Sequence, residues 1–205
     1  MGTYTENIRL YEPGHRPPRL VAIGGGHGLS AMLRGLKRYT RDITAIVTVA
    51  DDGGGSGALR EDLGMLPPGD IRSCILSLAN TEKTMRELLN YRFTEGSLAG
   101  QSFGNLFLAA MNGISGSFDE AVHRMGDVLA ITGRVLPVTN QDVHLEAEFD
   151  DGSHCLGESK IYYDKKQNAC RIRQVRLVPE HPQALPDSLE AIARADLIIL
   201  GPGSL

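Results

Sequence analysis

The feature that most restricts the fold of this chain is a run of glycines between a short apolar segment and an amphipathic one. Residues 20–23 are apolar, residues 24–28 read Gly-Gly-Gly-His-Gly, and residues 29–39 carry leucine and methionine at helical spacing. This order predicts a β-strand, a tight turn and an α-helix. Residues 43–50 are β-branched and almost wholly apolar, as in a parallel strand that is buried on both faces. The two strands and the helix between them predict a βαβ unit.

The remaining periodicity predicts the rest of an α/β domain. Helical spacing recurs at residues 71–78, 84–91, 103–114, 120–129 and 189–193. Alternation typical of strands occupies residues 143–149, 155–162 and 172–178, and residues 195–200 form a further buried strand. We expect a Rossmann-like open, mostly parallel sheet flanked by helices, with a small β-rich insertion at about 133–180.

The ends of the chain differ from this pattern. Residues 1–18 are polar and rich in proline, which predicts a flexible leader before a nucleotide-binding domain at 19–205. The last predicted strand ends in a glycine turn, and no helix follows it. In a parallel sheet, a helix normally connects one strand to the next and covers the sheet. We therefore expect that the domain is incomplete at its C-terminus.

Composition excludes several classes of protein. The net charge is −4 and no run of lysine or arginine exceeds two residues, so a nucleic-acid partner is not expected. Three cysteines without CxxC spacing argue against a disulfide framework or a zinc site, and favour a reducing cytoplasm. No apolar run approaches the roughly 18 residues of a membrane span.

The first glycine turn carries the strongest chemical signal. Gly26-x-Gly28-x-x-Ala31 matches the dinucleotide-fold pattern between a strand and a helix. Without β-carbons, phosphate oxygens reach backbone N–H groups, and the helix places its positive end there. The alternative is a turn that is merely tight. The candidate ligand-binding residues of this turn are Gly24, Gly25, Gly26, His27, Gly28 and, through its hydroxyl, Ser30.

A second motif, ADDGGGSG at residues 50–57, follows the second strand on the same edge of the sheet. Asp51 or Asp52 could accept a hydrogen bond from a ribose hydroxyl, hold Mg²⁺ beside a diphosphate, or cap a helix. The glycines that follow favour a phosphate or metal role for one aspartate, with Asp51 as the candidate metal ligand. Gly53 and Gly54 are further candidate contacts.

Three more motifs add polar groups at the starts of predicted elements. In LPPGDIRSC, Asp70 can act as an N-cap, and Arg72 can reach a phosphate or form an ordinary ion pair. GQSFGNLF places Ser102, Gly104 and Asn105 at a helix N-terminus, where plain capping is the alternative. GPGS contributes Gly201 and Gly203 after the last strand. Three glycine turns at the ends of parallel strands predict one shared crevice.

Known catalytic motifs are missing from the sequence. It contains no GxxxxGK[ST], GxSxG or HExxH pattern, so no catalytic residue is assigned. A nicotinamide-dependent dehydrogenase would follow from the first turn alone, but no acid or base for hydride transfer is recognisable.

The ordered set of motifs resembles the bacterial gluconeogenesis factor family (YvcK-type), which is related to 2-phospho-L-lactate transferase (CofD-type). The resemblance covers residues 19–205. Members of the family are longer than this chain, which supports the expectation of an incomplete domain. The motifs, in chain order, are GGGHGLS, ADDGGGSG, LPPGDIRSC, YRF (91–93), GQSFGNL, PVTN (137–140), GESKI (157–161) and GPGS.

The resemblance implies a regulator that binds UDP-N-acetylglucosamine, directs carbon to cell-wall precursors and sustains cell shape, with a cell-wall-precursor enzyme as a candidate partner. The related transferase branch implies an alternative, Mg²⁺-dependent transfer of a phospholactate or similar group. The sequence departs from the family at His27, where threonine is usual, and at Gly55, where serine is common. Assembly into a homo-oligomer is a further possibility that the sequence leaves open. The ligand contacts implied are Gly25, Gly26, Gly28, Asp51 or Asp52, Ser102, Gly104 and Asn105.

Overall fold

The computed structural model of the chain describes residues 16–168 and 170–202. Most of the leader predicted at 1–18 therefore lies outside the described residues, and so does Gly203. Arg16, within that segment, pairs with Asp196 at 2.8 Å. The described strands are β1 (Leu20–Gly24), β2 (Ile43–Val47), β3 (Arg134–Pro137), β4 (His144–Phe149), β5 (His154–Leu156), β6 (Ile172–Val178) and β7 (Leu197–Leu200).

Helices occupy most of the remaining chain. The described α-helices are α1 (Gly26–Leu36), α2 (Gly54–Leu63), α3 (Gly69–Leu78), α4 (Lys83–Asn90), α5 (Phe103–Gly113), α6 (Phe118–Val128), α7 (Glu158–Asn168) and α8 (Pro186–Arg194), and Gly96–Leu98 forms a 3₁₀ turn.

The main sheet is parallel and has the strand order β3-β2-β1-β7. Gly24 is opposite Val47, and Ile23 is opposite Leu200, so the three strands end together. All five residues of β2 are buried, as their apolar, β-branched character predicted. The carboxyl ends of β1, β2 and β7 therefore deliver their loops to one edge of the sheet.

Helices cover both faces of this sheet. On one face, α1, α3, α5 and α6 contribute buried residues to the large core, among them Leu33, Ile75 and Met125. On the other face, Ala191 of α8 packs with Val21 and Ile46. This arrangement confirms the predicted Rossmann-like α/β class.

The second sheet is antiparallel, with the strand order β5-β4-β6. It has its own small core, built around Ala147, Phe149 and Cys155. Within the segment predicted as the insertion, at 133–180, β3 instead pairs with β2 of the main sheet. The second sheet itself spans residues 144–178.

Two helices differ from the sequence prediction. The strand expected at 155–162 ends at Leu156, because Gly157 turns the backbone with φ = +105° and the N–H of Ser159 donates to Asp52 Oδ1 at 2.8 Å, where α7 begins. The glycine-rich start of α2 was expected to be a turn. Low helix propensity is overridden there by packing against other segments, since a β-carbon on Gly55 would lie 2.8 Å from Gln101 Oε1 and the Ser56 hydroxyl accepts the Gly69 N–H.

Candidate functional site

The described residues enclose a cleft of about 1130 Å³ at the carboxyl edge of the main sheet. It lies between this edge and residues of the second sheet, such as Leu145 and Leu177. The ends of β1, β2 and β7 all open into it, as the three glycine turns predicted. The residues proposed from the sequence that line it are Gly24, Gly25, Gly26, His27, Gly28, Asp51 and Gly201.

The floor of the cleft is the first glycine turn, where α1 begins. Gly26 has φ = +64°, a conformation that strains residues with a β-carbon. A β-carbon on Gly25 would overlap the Thr48 hydroxyl, and one on Gly28 would lie 2.5 Å from Pro202 Cγ. These glycines therefore let β2 and the turn after β7 approach the backbone, which holds the start of α1 in place.

Asp70 lies against this turn. The Gly26 N–H donates to Asp70 Oδ2 at 2.6 Å. Burial raises the pKa of Asp70, the Gly26 hydrogen bond opposes that rise, and the charge of Asp51 adds to it. The expectation that Asp70 caps α3 is wrong, because Pro68 occupies the N-cap position and the Gly69 N–H donates to Ser56 Oγ at 3.1 Å. The Asp70 carboxylate therefore does not cap its own helix and instead accepts the N–H at the start of α1.

The two adjacent aspartates have different surroundings. Asp51 lines the cleft, and its Oδ1 accepts the N–H of Gly53 at 2.9 Å. Asp52 does not line the cleft, since its carboxylate accepts the Ser159 N–H at the start of α7. Asp51 is therefore the aspartate of the pair that a ligand in the cleft would meet, whereas Asp52 connects the second sheet to the core.

Glu158 brings a third carboxylate to the cleft, beside Asp51 and Asp70. Burial raises the pKa of Glu158, and the charges of Asp51, Asp70 and Asp52 raise it further. Residues 16–168 and 170–202 contain no group of three His, Cys, Asp or Glu side chains arranged to hold a metal ion. Asp51 as a Mg²⁺ ligand therefore stays a prediction.

Neither Asp70 nor Glu158 was among the sites proposed from the sequence. The available signal was their position inside LPPGDIRSC and GESKI, two motifs that carry the family resemblance. An isolated acidic residue in either motif has too many structural roles for its type alone to single it out.

The opposite wall of the cleft is mixed in character. Val138, Val143, Leu145 and Leu177 provide apolar surface, and Thr139, Glu180 and His181 provide polar groups. Hydrogen bonds hold the loops of this wall. Arg60 Nη2 donates to the Val143 carbonyl oxygen at 2.7 Å and pairs with Asp142, and Thr139 Oγ1 donates to the Gln183 carbonyl oxygen at 2.6 Å. The wall is therefore fixed to α2 and β3.

Several proposed residues lie next to the cleft lining and outside it. The buried Ser30 hydroxyl donates to the His27 carbonyl oxygen at 3.0 Å. Gly53 is the N-cap of α2, and Gly54, with φ = +51°, is its first residue. Arg72 extends from α3 toward α4, where Nη1 donates to Asn90 Oδ1 at 3.3 Å.

The GQSFGN motif packs against the second motif, where a β-carbon on Gly55 would lie 2.8 Å from Gln101 Oε1. Ser102 Oγ accepts the N–H of Asn105 at 3.2 Å, so Ser102 caps α5. A β-carbon on Gly104 would lie 2.6 Å from both Arg72 Cδ and the Leu89 carbonyl oxygen. Asn105 is buried, and its Oδ1 has no hydrogen-bond partner within the described part of the chain. In this arrangement the motif supports α2 and α3.

No α-helix within the described ranges is both long and apolar enough to cross a bilayer.

Comparison with known proteins adds a family and solved structures. The family model described as 2-phospho-L-lactate transferase CofD matches residues 20–205. A "Putative gluconeogenesis factor" of Thermoanaerobacterium thermosulfurigenes is 63% identical over 188 residues, which cover 92% of this chain and 58% of that protein. The "Gluconeogenesis factor" of Bacillus subtilis (strain 168) is 50% identical over 189 residues, with 92% and 58% covered.

Among solved structures, the crystal structure of protein BH3568 from Bacillus halodurans is similar, with a TM-score of 0.87 and 44% sequence identity. The match covers 92% of this chain and 60% of that one. The chain thus spans about 58% of the length of the two curated relatives.

Proposed function

Since this chain belongs to the 2-phospho-L-lactate transferase CofD family and is 63% identical to a relative named as a gluconeogenesis factor, we propose that it binds UDP-N-acetylglucosamine as a regulatory protein. The regulatory role is to link carbon metabolism to the synthesis of cell-wall precursors and to cell shape. The cytoplasm is the proposed location, and an enzyme of cell-wall-precursor synthesis is the proposed partner.

The observation that carries this proposal is the start of α1 at the floor of the cleft. Backbone N–H groups at a helix N-terminus bind phosphate oxygens, and the helix dipole favours the negative charge. Gly25 and Gly28 present such a backbone in a cleft of about 1130 Å³, and the N–H of Gly26 between them donates to Asp70. This volume is somewhat above the roughly 300–1,000 Å³ usual for small-molecule sites, which suits an elongated ligand such as a nucleotide sugar.

The opposite wall supports the same ligand class. Val138, Leu145 and Leu177 offer apolar surface to a flat ring, and Glu180 and His181 offer hydrogen-bonding groups to ring and sugar edges. A ligand of this kind would place its diphosphate on the glycine turn and its base or sugar against the second sheet.

The charge of the cleft supports a role for Mg²⁺. Asp51, Asp70 and Glu158 would repel a diphosphate, and the pKa values of Asp70 and Glu158 are already raised by burial and then by neighbouring carboxylates. A divalent cation bound through carboxylate and phosphate oxygens removes this repulsion. We therefore include Mg²⁺ in the proposal, with Asp51 as a ligand.

Calorimetric titration of the protein with UDP-N-acetylglucosamine, with Mg²⁺ or with EDTA, tests the proposal. We expect binding with Mg²⁺ and affinity at least about tenfold lower without it, equivalent to about 1.4 kcal/mol. Asp51→Asn keeps an acceptor for the Gly53 N–H and should lower the Mg²⁺-dependent affinity to a similar extent. Asp62→Asn, on the exposed part of α2, is the matched control and should bind normally. Absence of heat at millimolar ligand would reject the proposal.

The alternative is a Mg²⁺-dependent transferase of a phospholactate or related group, which the family description and the three carboxylates of the cleft favour. The acceptor hydroxyl would attack the phospholactate phosphorus, and the nucleoside monophosphate would leave. Supplying phospholactate joined to guanosine monophosphate through a diphosphate bridge, together with a deazaflavin acceptor, distinguishes the two functions. Release of nucleoside monophosphate would identify the transferase, and binding without release would support the regulator.

A further inference from the structure

A second cavity, of about 400 Å³, lies between α1, α3 and α4. Arg34 and Lys37 of α1, Arg72 of α3 and Arg86 of α4 line it, and we call this cavity the basic pocket. His27 lines both the basic pocket and the cleft, so the two cavities are neighbours at the start of α1. The lining contains no acidic residue.

Within the described residues, the four cations of the basic pocket form no ion pair with a carboxylate. The ion pairs formed by residues 16–168 and 170–202 involve other lysines and arginines. The nearest polar partners are neutral: Arg34 Nη1 is 3.5 Å from Ser77 Oγ, Lys37 Nζ donates to the Ala79 carbonyl oxygen at 2.8 Å, and Arg86 Nη2 is 3.5 Å from the Thr81 carbonyl oxygen. Four positive charges thus share a small space without an ion pair to any carboxylate of the described residues.

The local electrostatics agree with this geometry. Burial lowers the pKa of Lys37, and the charge of Arg86 lowers it further. Burial also lowers the pKa of Arg72, whose buried Nε lacks a hydrogen-bond partner among the described residues. Asp70, which partly offsets this effect on Arg72, accepts its hydrogen bond from Gly26 at the cleft. Such repulsion costs stability that a bound anion would recover.

We propose that the basic pocket is a binding site for a small phosphorylated anion, separate from the nucleotide-sugar cleft. Guanidinium groups bind phosphate oxygens through charge-assisted hydrogen bonds, and Lys37 adds a point charge. The cavity volume limits the ligand to a small molecule, such as inorganic phosphate, pyrophosphate or a sugar phosphate. The inference stands on residues that the proposed function does not use, and so it can fail independently.

Calorimetry with pyrophosphate, without nucleotide sugar or Mg²⁺, tests this site. We expect binding that weakens with added salt, because the attraction is between charges near the surface. In the double variant Arg34→Gln, Arg86→Gln the affinity should fall about tenfold or more, since two charge-assisted contacts are lost. Both side chains are exposed and their hydrogen bonds are 3.5 Å long, so the variant should fold.

The matched control is Arg38→Gln, Arg41→Gln, which removes the same charge from exposed positions outside the pocket. Circular dichroism checks that both variants are folded. Parallel titrations with inorganic phosphate and ribose 5-phosphate distinguish a free phosphate from a phosphate ester as the ligand. Equal affinity of the pocket variant and the control would place the pyrophosphate elsewhere and overturn the proposal, as would absence of pyrophosphate binding at millimolar concentration.

Discussion

Asp70 shows how a single side chain can be held in an unfavourable state. Its carboxylate accepts the Gly26 N–H at the start of α1, an interaction that favours the charged form. Burial outweighs this hydrogen bond and raises the pKa of Asp70, and Asp51 adds to the rise. The ionised carboxylate therefore costs stability when the cleft contains no cation.

The substitution Asp70→Asn tests this account. The asparagine oxygen can still accept the Gly26 N–H, without a buried charge, so we expect the melting temperature of the ligand-free protein to rise by a few degrees at pH 7. A carboxyl with a raised folded pKa binds its proton more tightly in the native state, so its destabilising effect develops as the pH rises from the unfolded pKa through the folded one. The gain should therefore disappear at acidic pH, where both states are protonated.

Thermal unfolding followed across this pH range makes the measurement. Asp62→Asn, at an exposed position, supplies the control and should leave the melting temperature unchanged at every pH. A lower melting temperature for Asp70→Asn at neutral pH would mean that the charged hydrogen bond to Gly26 stabilises the protein by more than the burial of the Asp70 charge destabilises it.

At the scale of elements, α7 depends on a residue far away in the sequence. Asp52 follows β2, and its Oδ1 accepts the Ser159 N–H at 2.8 Å, across 107 residues. A β-carbon on Gly157 would overlap the Asp52 carboxylate, so only a glycine at this position lets the backbone come this close to Asp52. The helix is polar and has little apolar surface of its own, and its N-terminus therefore relies on this contact.

We expect Asp52→Ala to loosen α7 while leaving the main sheet intact. Loss of a helix cap costs about 1 kcal/mol, which is enough to increase fraying of a polar helix. Hydrogen exchange measured by mass spectrometry should then rise in residues 158–165 and stay unchanged in α6. Glu61→Ala, an exposed acid on α2, serves as the comparison. Unchanged protection of α7 would show that Asp52 is dispensable for this helix.

For the whole molecule, the cleft depends on how the two sheets are joined. The glycine turn belongs to the main sheet, whereas Leu145 and Leu177 belong to the second sheet. Arg60 of α2 and Asp52 provide polar contacts between these parts, through Val143 and Ser159. A ligand that touches both walls would strengthen this connection, because it binds only when they are correctly placed.

Hydrogen exchange with and without UDP-N-acetylglucosamine and Mg²⁺ examines this expectation. Protection should increase together at residues 24–28 and at residues 177–184, which lie on opposite sides of the cleft, and should not change in α6. Protection confined to residues 24–28 would indicate that the ligand binds through its diphosphate alone, contrary to the proposed use of the apolar wall.

Local patterns in the sequence determined the class of fold and the position of the phosphate-binding candidate. The spacing of apolar residues and the presence of glycines are properties of short segments, so β1, the glycine turn and α1 were predictable. The shared edge of the three strand ends was also predictable, because parallel strands end on the same side of a sheet. The same reasoning missed α2 at a glycine-rich segment, and it assigned a strand where α7 begins, because long-range packing overrode local propensity there.

Only the tertiary structure decided which acids face the cleft and which cations share the basic pocket. Asp51 and Asp52 are neighbours of the same type, and their different roles depend on where α7 is placed. Asp70 reaches Gly26 across 44 residues, and Arg72, Arg34 and Arg86 line one cavity because α1 packs against α3 and α4 borders the same cavity. These contacts join residues far apart in the chain, and the order of strands and the packing of helices bring them together.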